Sequence, residues 1–87
     1  KNPATGDVLG TVPRMGAAEA RQAIEAARAA LAAWAAKPAK ARAKILREWA
    51  RLLVANVEDL GRLMTREQGK PLAEAMGEVA YAAAFFE

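Results

Sequence analysis

The sequence contains no cysteine and no histidine. Without cysteine there is no disulfide, no thiolate nucleophile and no thiolate metal site. Without histidine the usual neutral-pH general base and the commonest metal ligand are gone. Aromatic residues make up only 6% of the chain: Trp34, Trp49, Tyr81, Phe85 and Phe86. No apolar run approaches the length of a membrane span. There is no basic-then-apolar leader at the start. These absences exclude most self-contained catalytic designs before any motif is considered.

What remains is dominated by alanine. Apolar residues reach 54% of the 87 positions, but alanine supplies most of them. Alanine favours helix and buries little area, so the expected core is thin and rests on Leu, Ile and Val. A chain this short is one domain at most and marginally stable alone. The net charge of +3 is unevenly spread. Residues 1–57 carry ten Lys/Arg against four Asp/Glu, and residues 58–87 carry three against six, so the halves differ as +6 and −3. The first residue, Lys1, and the last three, Phe85-Phe86-Glu87, read as cuts through a larger fold, because neither end carries a structural stop.

Along the chain, Asn2-Pro3-Ala4-Thr5-Gly6-Asp7 is a dense turn signal. Val8–Val12 then reads as a short strand closed by Pro13, half of a hairpin over 1–13 whose partner strand is missing. Residues 16–36 form the first helical pattern, with Ala20, Ile24, Ala27, Leu31 and Trp34 on one stripe and Gly16 as its N-cap. Its many alanines suit close packing. Pro38 opens a second helix over 38–55, with Ile45, Leu46, Trp49, Leu52 and Leu53 as the apolar face. Its other face is basic: Lys40, Arg42, Lys44, Arg47 and Arg51, opposed only by Glu48. Asn56 is the expected N-cap of a third helix, 56–68, with Asp59 as a weak capping-box partner and Gly69 as the left-handed stop. Pro71 opens a fourth helix, 71–87, with Leu72, Ala75, Met76, Val79, Ala83 and Phe86 on its stripe. Gly77 in its middle suggests a close helix or sheet contact, or simple drift. The expected fold class is mainly α: about four helices plus one short N-terminal strand, a single partial domain over 1–87.

The junction Glu67-Gln68-Gly69-Lys70-Pro71-Leu72-Ala73-Glu74-Ala75 is the most distinctive run. Together with the Asn2–Gly6 turn, the Ala-rich helix, Trp34-Ala35-Ala36, the Lys44–Arg47 stretch and Gly77–Ala83, it resembles the N-terminal helical region of the aldehyde dehydrogenase superfamily. The likeness is greatest to the bacterial succinate-semialdehyde dehydrogenase branch. It implies an α/β parent in which these helices pack on a dinucleotide-binding domain. It implies NAD- or NADP-dependent oxidation of an aldehyde through a Cys thiohemiacetal, a Glu-assisted water and an oxyanion-holding Asn. None of those parts maps onto this chain, so no catalytic, cofactor-binding or metal residue carries over, and the segment is expected to be inactive alone. The implied partner is the remainder of the parent chain, and the implied location cytoplasmic.

The residues that could invite chemistry have plain alternatives. Thr5-Gly6 is a turn rather than a phosphate loop, since one glycine beside an acid does not cradle phosphate. By the resemblance, Glu67 stands where some relatives place an acidic ligand for a structural monovalent cation, although the family favours Asp there. The alternative is an exposed helix-end Glu, or one paired with Lys70. Glu74 and Glu78 share a helix face but nothing splits their pKa values. The basic second helix admits a different class of function altogether: an autonomous interaction module that self-associates or binds nucleic acid. No base-stacking aromatic set accompanies it, which weighs against the nucleic-acid version.

Overall fold

The computed structural model describes all of residues 1–87. Four helices follow in order: α1 (Ala17–Ala35), α2 (Ala39–Ala55), α3 (Val57–Gln68) and α4 (Leu72–Ala84). Their ends have local causes. At α1 the backbone N–H of Gly16 donates to Glu19 Oε2 at 2.8 Å, and the carboxylate lies at the positive helix end. Pro38 and Pro71 both take the cap position, one residue earlier than expected, with extended ψ values of 144° and 138°. Each proline contributes its carbonyl to the first helical turn: Pro38 accepts from Ala41 and Arg42, and Pro71 from Ala75. Gly69, at φ 79°, adopts the left-handed conformation that ends α3, and its N–H donates to the Thr65 carbonyl at 2.8 Å. Helix α4 stops at Ala84, short of Phe85 and Phe86.

The strand expected over Val8–Val12 is not formed. The Asn2–Asp7 turn is present, closed by Asn2 N–H donating to Asp7 O and Gly6 N–H to Asn2 O, both at 2.8 Å, with Gly6 at φ 81°. From Val8 to Met15, however, no backbone group pairs with another. A strand is defined by its ladder, and no second strand lies within reach to supply one.

Helix α4 is the hub. Both α2 and α3 pack against it. The buried residues are Ala50 from α2, Gly61 from α3, and Ala75, Val79 and Ala83 from α4. All are small, so backbones approach closely and no large side chain is fully enclosed. The tightest approach is at Gly61, where an added Cβ would lie 2.7 Å from Met76 Cγ and 3.3 Å from the Met76 nitrogen. At Gly77, where the sequence left a close contact or simple drift open, nothing in the chain comes within 4 Å of a Cβ. Close packing expected from the alanines of α1 is likewise absent, since α1 buries no residue.

The result is a slab of 48 × 33 × 14 Å between Cα atoms. Its thin dimension is little more than one helix diameter, about 10–12 Å. The radius of gyration is 16.9 Å, against roughly 12 Å for a compact chain of this length. The accessible area, 7155 Å², exceeds by about 2,200 Å² that of a compact monomer of the same mass. A single layer of helices thus exposes what a second layer would cover.

Candidate functional site

The Glu67–Ala75 junction joins α3 to α4 and is built from three devices. Gly69 reverses the chain, and the ring of Pro3 sits over it, with Pro3 Cγ 3.0 Å from the place a Gly69 Cβ would occupy. Lys70, half-buried, pairs with Glu78 two turns along α4. Pro71 then starts α4. Of the two plain readings of Glu67, the exposed helix-end residue is the one seen; Lys70, on the α4 side of the turn, pairs with Glu78 instead. Glu78 is an ion-pair partner, and Glu74 is exposed at the first turn of α4.

Glu67 is exposed and lines a cleft of about 400 Å³ with Lys1, the Leu9–Val12 segment and Leu63. No group of three or more His, Cys, Asp or Glu side chains gathers there or elsewhere. Thr5 and Gly6 form the N-terminal turn, where Thr5 Oγ1 donates to Asp7 Oδ2 at 2.7 Å. The one buried polar side-chain atom without a partner is Thr65 Oγ1, on α3.

Helix α2 carries the densest charge. Its sole carboxylate, Glu48, accepts two hydrogen bonds from Arg51, at 2.9 and 2.7 Å. That bond, with the nearby positive charges of Arg51 and Lys44, holds Glu48 below the ordinary carboxylate range, and the same bond with the Glu48 charge raises Arg51. Lys40, Arg42, Lys44 and Arg47 enter none of the chain's three ion pairs. Glu19 is also lowered, chiefly by the Gly16 N–H that it accepts and then by its own N–H.

The apolar faces are largely open. On α1, Ile24 and Leu31 are 67% and 62% exposed. On α2 the predicted face divides: Ala50 is buried and Leu46 and Leu53 half-buried, whereas Ile45, Trp49 and Leu52 stay exposed. Trp49 stacks on Phe86 with ring centroids 4.4 Å apart, and Tyr81 meets Phe85 edge-on at 4.8 Å. No helix is long and apolar enough to cross a membrane.

Asn56 holds the N-cap position of α3 as expected, and its carbonyl accepts from Leu60 at 3.0 Å, but its side chain serves α2 instead: Nδ2 donates to the Leu52 carbonyl at 2.8 Å and makes no bond to α3. Gly61 went unnoticed, although it falls on the apolar stripe of α3 between Val57 and Met64, where a glycine signals close approach.

These features define a helical layer with an open face. All of residues 1–87 match the aldehyde dehydrogenase family, and the chain belongs to it. It is 65% identical over 86 residues to the glutarate-semialdehyde dehydrogenase of Pseudomonas putida, covering 99% of this chain and 18% of that protein. The NADP-dependent succinate-semialdehyde dehydrogenase GabD of Escherichia coli is 63% identical, with the same coverage. A crystal structure described as an E. coli NADP-dependent enzyme superposes with a TM-score of 0.96 at 63% identity, over 99% of this chain and 18% of that one. The chain thus spans under a fifth of the length of the relatives that it matches. The four helices correspond to the N-terminal part of aldehyde dehydrogenase structures.

Proposed function

We propose that this chain is the N-terminal helical segment of an NAD(P)-dependent semialdehyde dehydrogenase, acting on an aldehyde that carries a second, anionic end, succinate semialdehyde or glutarate semialdehyde. The observation that supports it is the 63–65% identity, over nearly the whole chain, to enzymes named for those substrates. The role of the segment within the parent is to pack. Its single layer leaves about 2,200 Å² in excess of a compact monomer, and the open faces of α1 and α2 would be covered by the rest of the polypeptide. The cytoplasmic location goes with this reading.

The 87 residues do not fit a dinucleotide. They hold no strand leading through a glycine-rich turn into a helix, which is the usual cradle for a pyrophosphate. Nor do they hold a thiol to attack an aldehyde. Chemistry in the parent therefore belongs to residues outside this segment, and the segment alone is inactive. The test is an assay of the full-length protein that carries this sequence, with succinate and glutarate semialdehydes and with NAD and NADP in turn. Turnover of one or both is expected. Failure to oxidise either with either cofactor overturns the proposal. The ratio of the two kcat/KM values assigns the substrate.

A further inference from the structure

The basic face of α2 has little counter-charge in the chain: Glu48, already bonded to Arg51, and Glu87, which lines the cleft beside Arg47 and Arg51. Lys40, Lys44 and Arg47 line one cleft with Pro38 and Ala41, about 390 Å³ in volume. Arg47 also lines a second cleft of about 500 Å³, beside Arg51, Val54 and Glu87. The two clefts meet at Arg47, and Lys40 to Arg51 spans roughly 16 Å of helix. The chain's three ion pairs engage Arg51, Arg62 and Lys70, leaving Lys40, Lys44 and Arg47 free. Lys40 and Lys44 are four residues apart, and Lys44 and Arg47 three. Both spacings put like charges side by side and disfavour the helix that carries them. The first turn of α2 has no acidic residue to offset this. The face works against its own helix unless something acidic lies on it.

We propose that the Lys40–Lys44–Arg47 face docks against a carboxylate-bearing surface of the same polypeptide, outside these 87 residues. This rests on the reading above, that the chain is part of a longer dehydrogenase. Charge complementarity selects the occupant. Of the chain's other carboxylates, Asp7, Glu19, Glu25, Asp59, Glu67, Glu74 and Glu87, none reaches these cations within ion-pair distance, although Glu87 lines the cleft beside Arg47. The excess area, about 2,200 Å², is on the scale of a permanent interface rather than a transient contact. A nucleic acid fits less well, because the one tryptophan of α2, Trp49, is already stacked on Phe86.

The experiment uses the full-length protein. Lys40, Lys44 and Arg47 are changed together to Glu in one variant and to Gln in another, and melting is followed at low salt and in about 0.5 M NaCl. For a docked face the Glu variant should melt at least about 3 °C below wild type at low salt, with the Gln variant between. In high salt the gap should shrink by half or more. A smaller fall at low salt, or a fall that salt leaves undiminished, overturns the proposal. So does retardation of duplex DNA by wild type that the Glu variant loses. If the Glu variant fails to fold, the Gln variant decides by the same criteria. Wild-type turnover of the semialdehydes is measured alongside. Activity with unchanged melting removes the docking alone, whereas inactivity removes the parent reading itself.

Discussion

Replacing Gly61 by alanine sets two effects of known size against each other. Alanine in place of glycine favours a helix by about 1 kcal/mol. At Gly61, however, the new Cβ would sit 2.7 Å from Met76 Cγ and 3.3 Å from the Met76 backbone nitrogen. Carbon atoms pack best at about 3.5–4.0 Å, so Cγ must retreat by roughly 1 Å while the backbone of α4 gives a few tenths. Overpacking of this kind costs about 1–3 kcal/mol. The net expectation is a loss of roughly 1 kcal/mol, taking the middle of that range. Gly77 is the internal control: it lies on the next helix with nothing within 4 Å of a Cβ. In the 87-residue chain, Gly77→Ala should therefore raise helix stability by about 0.5–1 kcal/mol. Denaturant melts of Gly61→Ala, Met76→Ala and the double variant separate the terms. Removing the Met76 Cγ should make Gly61→Ala neutral or favourable, a coupling of about 1–2 kcal/mol. If Gly61→Ala stabilises as much as Gly77→Ala, or its effect is the same with and without the Met76 side chain, the account of the α3–α4 contact is wrong.

Other outcomes follow from single contacts. Asn56→Ala removes the bond to the Leu52 carbonyl and should cost about 0.5–1.5 kcal/mol, read as an earlier melt of the α2 signal. Glu19 has a lowered pKa in the fold. Its contribution to α1 is therefore present above the ordinary carboxylate range and is lost as pH falls through that lowered value. Wild type should lose helicity on acidification in a step that Glu19→Gln lacks, and identical circular-dichroism titrations would contradict this. Phe86→Ala removes the ring stacked on Trp49. It should shift tryptophan emission to the red and cost about 0.5–1.5 kcal/mol beyond the lost area. The isolated chain should self-associate, because Ile24, Leu31, Ile45 and Leu52 are all exposed. Elution that is monomeric and independent of concentration would refute this.

The helices were legible in sequence because their signals are local. Period-3.6 stripes, the two prolines and Gly69 each act within a few residues of themselves. The strand at Val8–Val12 was legible as composition, but composition cannot supply a ladder, and the backbone there stays unpaired. Asn56 illustrates a different limit. A short polar residue between two helices suits the end of one and the start of the next, and only geometry shows which carbonyl or N–H it meets. Gly61 and Gly77 share that ambiguity, since a glycine in a helical stripe announces proximity without naming the neighbour. That no thiol or imidazole chemistry is available within these residues was readable at once from the missing cysteine and histidine. The open faces were not, because Ile24 or Trp49 looks like core until the layer that would cover it is found lacking.

The openness of the slab has a consequence in time. The chain covers 86 residues, 18% of the P. putida relative, so a parent of that length would hold roughly 390 residues outside this segment. At about 5–20 residues per second, the part that follows would take on the order of tens of seconds to synthesise. Helices α2 to α4 can assemble as soon as they emerge, since their mutual contacts need nothing further along. Throughout that interval α1 and the outer face of α2 would present bare leucine, isoleucine and tryptophan to the surrounding solution. Such a segment would be a nascent client for chaperones, folded enough to be recognisable and too thin to protect itself.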